Sequence, residues 1–121
     1  MYRTVTRLLG RFAGARSVEG RVVGAPAAVA VDHAVSPRRT TEGTHFAVTV
    51  RVRNGGSEPL APTPVRVTFH ESRWLGLTET ALEPVTRASD RIDPGETATV
   101  EVGWSDATSV SSYEIEVGSE T

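Results

Sequence analysis

The chain has no cysteine, no lysine and no glutamine, and a single asparagine, Asn54. Without cysteine there is no disulfide, no thiolate metal site and no cysteine nucleophile. All 13 basic residues are arginine, which reads as the codon bias of a GC-rich genome, with adaptation to high salt or heat as the alternative. Aromatic residues make up only 6% of the chain, too few for a multi-ring carbohydrate groove. No apolar run approaches the ~18–20 residues of a membrane-spanning helix. The net charge of −2 gives no global field that attracts nucleic acid.

What is present suits one globular domain. A chain of 121 residues, 38% hydrophobic, buries roughly two thirds of its unfolded surface and needs no covalent staple. Charge is unevenly placed along it. Residues 1–24 carry five arginines against Glu19 alone, a net of +4; residues 25–121 carry eight arginines against fourteen acids, a net of −6. The chain therefore divides into a basic leader, residues 1–24, and an acidic body, residues 25–121.

The leader lacks the continuous apolar stretch of a signal peptide, because Arg7 and Arg11 bracket only Leu8 and Leu9 as a core. On a helix, Val5, Leu8, Leu9 and Phe12 share one face, while Arg3, Arg7 and Arg11 line another. The expectation is a short basic amphipathic helix over residues 1–16, helical or disordered according to context and weakened by Gly10 and Gly14. Three surfaces are open to it: the body itself, a partner protein, or an anionic membrane. With neither signal peptide nor spanning segment, the expected location is cytoplasmic, with peripheral membrane contact through the leader as an option.

The body alternates with period 2. Phe46, Val48, Val50 and Val52 point one way, and His45, Ala47, Thr49, Arg51 and Arg53 the other. Asn54-Gly55-Gly56 then supplies residues tolerant of positive φ for a turn. Beyond Pro59, Pro62 and Pro64, the inward set resumes with Val65, Val67 and Phe69. One or two short strands are expected between Leu75 and Ile92. Asp93-Pro94-Gly95-Glu96 is a strong turn signal. It launches Ala98, Val100, Val102 and Trp104 inward, and Tyr113, Ile115 and Val117 close the pattern. The segment from Ala27 to Pro37 gives the first body strand. About seven strands with no helical connector predict an all-β, antiparallel sandwich.

The stretches FAVTVRVRNGGSEPLAPTPVRVTF, IDPGETATVEVGW and SYEIEV, within residues 28–118, resemble the CARDB type of domain, bacterial and archaeal modules related to cell adhesion. That resemblance implies an immunoglobulin-like sandwich without cysteine, serving as a non-catalytic module for binding, spacing or assembly. The basic leader is not part of it.

Candidate sites are few. There is no P-loop, no dinucleotide-binding glycine pattern and no nucleophile elbow. His33, His45 and His70 read as exposed polar positions without the spacing of metal ligands. Pairing of two hairpin strands would bring His45 near His70, so the alternative to an interaction module is a metal-binding or enzymatic domain using these histidines and nearby acids. Glu114 and Glu116, like Asp90 and Asp93, read as a solvated surface. Arg51, Arg53 and Arg66 would form a basic stripe if their strands were neighbours. No aromatics interleave with it, so nucleic acid is not an expected partner. The candidate interaction residues are Arg3, Arg7, Arg11, Leu8, Leu9 and Phe12 of the leader, and Arg73, Trp74 and Leu75; Trp74 reads as core or, alternatively, as an apolar loop patch with Leu75 and Leu77. The reading is a non-catalytic interaction or assembly module without catalytic residues, metal or cofactor. Its partner is another protein or a second copy, and the leader docks to a partner or an anionic membrane.

Overall fold

A computed structural model describes residues 2–7, 11–12, 16–41, 43–73, 78–105 and 110–118. Eleven strands follow one another: β1 (Tyr2–Arg7), β2 (Arg11–Phe12), β3 (Arg16–Ser17), β4 (Glu19–Pro26), β5 (Val29–Thr40), β6 (Gly43–Asn54), β7 (Pro64–Arg73), β8 (Thr78–Ala81), β9 (Val85–Ala88), β10 (Thr97–Ser105) and β11 (Val110–Val117). There is no helix among the described residues. In the stretch where the sequence predicts a basic amphipathic helix, Tyr2–Arg7 is a strand, paired antiparallel with β4. Two glycines and a short apolar stripe give a helix little intrinsic support, whereas pairing with β4 gives Tyr2–Arg7 backbone partners along one edge.

The larger sheet runs β1-β4-β11-β7-β8, with β9 also on β7; the smaller runs β10-β6-β5. β2 and β3, two residues each, pair antiparallel with one another. All pairings are antiparallel except β4 with β11, which is parallel. β4 runs through residue 24, where the sequence suggests a boundary, and Val18 and Val22 are each 1% exposed. The segment from residue 18 onward therefore belongs to the packed body.

The strand phases hold in detail. Val48, Val50 and Val52 from the smaller sheet and Val65, Val67, Ile115 and Val117 from the larger are all fully buried in one core. Alternation accounts for this, since every second residue of a strand faces the same side. An aromatic group closes across the sheets: Trp104 stacks on Phe46 at 5.4 Å within the smaller sheet and lies 5.0 Å from Phe69 of the larger. Trp104 is thus a core residue, as its phase predicts.

The short strands expected between Leu75 and Ile92 are β8 and β9. Asp93–Glu96 forms the expected turn: Glu96 N donates to Asp93 O at 2.9 Å, and Gly95 takes φ = 82°. The Asn54-Gly55-Gly56 segment differs from expectation. Neither glycine there has positive φ, and no hairpin follows, because the chain crosses from β6 in the smaller sheet to β7 in the larger. A tight hairpin keeps both strands in one sheet; the nine-residue link with Pro59 and Pro62 is long enough to change sheets.

Candidate functional site

That crossing separates residues that the sequence suggests are neighbours. His45 lies on β6, opposite Arg38 and Ser105, while His70 lies on β7, opposite Ser112 and Ala81. The two histidines are in different sheets. Among the described residues no group of three or more His, Cys, Asp or Glu side chains is placed to hold a metal ion. The stripe of Arg51, Arg53 and Arg66 is divided in the same way. Arg51 and Arg53 stay on β6, with Arg51 2.6 Å from Asp32 of β5, and Arg66 sits on the other sheet 3.9 Å from Glu116.

His33 is the clearest departure from the sequence reading. It is buried, 3% exposed, rather than on the wet side. On β5 it falls in phase with Val29, Val31 and Val35, a signal the alternation itself carries. Its Nδ1 shares a 2.8 Å hydrogen bond with the Tyr113 hydroxyl of β11, and the two rings meet edge to face. Burial pushes the Tyr113 phenol above its ordinary pKa, so it stays neutral and keeps this bond. Gly20, opposite Tyr113 in the parallel pair, leaves the space the phenol occupies: a Cβ there would stand 2.1 Å from Tyr113 Cζ.

On the outer face of the larger sheet, a polar row crosses four strands. Arg21 of β4 grips Glu114 of β11 through Nε at 2.8 Å and through Nη2. Glu114 also faces His70 Nε2 of β7 at 3.1 Å, and His70 Nδ1 lies 3.8 Å from Glu79 of β8. Burial alone would raise the Glu114 pKa, but the hydrogen bonds and charges of Arg21 and His70 outweigh it and hold the carboxyl below its usual range. The row is partly solvated, as expected for Glu114 and Glu116, but it is specifically paired. Its chemistry is cohesion between strands.

A third polar cluster sits where β6 leaves the smaller sheet. Asn54 is 1% exposed, and its Nδ2 donates to Glu58 O at 2.7 Å and Ile92 O at 2.9 Å. Its Oδ1 accepts from Gly56 N at 2.9 Å. The side chain straps the crossing loop to the bridge between Leu60 and Ile92.

Of the candidate interaction residues, Arg3 and Arg7 lie on β1, Arg11 and Phe12 on β2, and Arg73 ends β7. Leu8, Leu9, Trp74 and Leu75 fall outside the described residues, as does Leu77. No helix among the described residues is long and apolar enough to cross a membrane. No family model matches the chain, and neither a curated protein nor a solved structure matches it.

Proposed function

We propose that this chain is a non-catalytic assembly module built on an immunoglobulin-like sandwich of the CARDB type, and that it associates with a second copy of itself through β10. One observation carries the reading: β10 is a nine-residue strand at the end of the smaller sheet that pairs, among the described residues, with β6 alone. Its register with β6 is continuous, without a bulge, and it contains no proline. The ends at β8, β9 and β5 are blunted. β8 and β9 are four residues each with Pro84 between them, and β5 contains Pro37.

A long regular edge is a template for another strand. Two-fold antiparallel pairing of β10 with its copy, centred on Val100, sets Glu101 against Thr99 and Thr97 against Gly103. No like charges then stand opposite each other. The basic leader supplies a second, electrostatic contact, with Arg3 and Arg7 on the strand that ends the larger sheet.

Sedimentation velocity of the full chain over a concentration series tests the assembly. The expected result is a dimer that Thr99→Glu converts to a cooperatively folding monomer, since Thr99 is exposed and the new carboxylate would stand opposite Glu101 of the copy at two places. A chain that stays monomeric at every concentration, or a dimer indifferent to Thr99→Glu, overturns pairing through β10.

A further inference from the structure

Asn54 precedes Gly55, and this dipeptide carries its own chemistry. In a free chain, the Gly55 backbone nitrogen, losing its proton, attacks Asn54 Cγ. A new C–N bond forms, the side-chain nitrogen leaves as ammonia, and a cyclic imide remains. Water then adds to one of its two carbonyls and opens it to aspartate or to an isoaspartyl linkage. Glycine favours the attack because no Cβ shields its nitrogen and its backbone bends freely.

The fold opposes each step of this. Gly55 N donates to Ala28 O at 2.8 Å, so the nucleophile is engaged. Both ends of the Asn54 amide are held, Nδ2 by Glu58 O and Ile92 O, and Oδ1 by Gly56 N. The Asn54 backbone is fixed as well: its N donates to Glu96 O at 3.0 Å and its O accepts from Gly95 N at 2.7 Å. The side chain is buried, so the water needed for ring opening is excluded.

We propose that Asn54–Gly55 is a deamidation site gated by the fold: closed in the native state, open whenever this corner unfolds, and irreversible once used. Irreversibility follows from the same contacts. A carboxylate at position 54 has no hydrogens to give to Glu58 O and Ile92 O, and would place a buried negative charge against two carbonyl oxygens. The isoaspartyl form also lengthens the backbone where β6 ends. A molecule that has unfolded and reacted therefore cannot rebuild the strap.

The composition makes the test clean. Asn54 is the only asparagine and there is no glutamine, so any amide-to-acid exchange in the whole protein reports this one position. The full chain is aged at mildly alkaline pH across a urea series, and the exchange is followed by mass spectrometry with peptide mapping. The expected rate follows the unfolded fraction, so that native buffer is slower than full unfolding by ~10³-fold or more. A rate that does not change as urea populates the unfolded state overturns the gate. In a second arm, the sample aged in urea is diluted to refold and treated briefly with protease. Asn54 chains are expected in the resistant fraction and reacted chains in the digested one. Equal resistance of the two overturns the irreversibility.

Discussion

The Tyr113 hydroxyl and His33 Nδ1, 80 residues apart in the chain, meet at 2.8 Å inside the core and tie the larger sheet to the smaller. Tyr113→Phe keeps the ring and removes the bond, leaving a buried imidazole nitrogen without that contact. The expected loss is about 1–3 kcal/mol in urea unfolding. A double-mutant cycle with His33→Leu should show coupling of at least ~0.5 kcal/mol, and strict additivity would mean the bond contributes nothing. The raised Tyr113 pKa has a defined sign. Its contribution is complete below the ordinary tyrosine value of about 10 and is lost as pH rises beyond it. The wild-type chain should therefore lose stability in strong alkali more steeply than Tyr113→Phe.

Gly20→Ala tests the other side of the same ring. A methyl group at this position overlaps the phenol, which cannot retreat without leaving His33. Overpacking of this kind costs about 1–3 kcal/mol, read as a lower urea midpoint with an unchanged slope.

Glu114→Gln tests the polar row. The Glu114 pKa is lowered in the fold, so its contribution is present above the ordinary carboxylate range and fades as pH falls through the folded value. At neutral pH the variant should be weaker by less than about 1 kcal/mol, because Arg21 is more than half exposed. The gap between the two proteins should close toward acid. A gap independent of pH would assign the effect to packing rather than to ionisation.

Neighbouring residues on β6 separate core from surface. Val50 is fully buried, so Val50→Asp places an unpaired charge in the core and should abolish the cooperative unfolding transition. Arg51 is half exposed and paired with Asp32, so Arg51→Ala should cost below about 1 kcal/mol.

Side-chain alternation told which way residues face with few errors, because it depends only on the local pleat. Val48, Val50, Val65, Val67, Ile115 and Val117 all landed in the core. His33 reads as exposed from its polarity, although its phase with Val31 and Val35 points inward. Which strand lies beside which is a different kind of information. Nothing local in Asn54–Thr63 distinguishes a hairpin from a change of sheet, and so a local reading cannot tell that His45 and His70, or Arg51 and Arg66, lie on different sheets. The polar row from Arg21 to Glu79 was illegible for the same reason, since it depends on β4 lying beside β11. Asn54 read as a turn former, and only the loop folding back over it reveals the strap.

The parallel pairing of β4 with β11 also sets a schedule for folding. Arg21 and Glu114 are 93 residues apart, so β4 is made well before its parallel neighbour and waits for it. Until then Val22 and Gly20 have no ring or isoleucine to cover them on that side. Such late, distant closure raises contact order and slows the search for the native topology. The hairpin of β5 and β6 can form from local chain alone, while the larger sheet must wait for its central strand, so the nascent molecule carries an open apolar seam from the emergence of β4 until β11 is made.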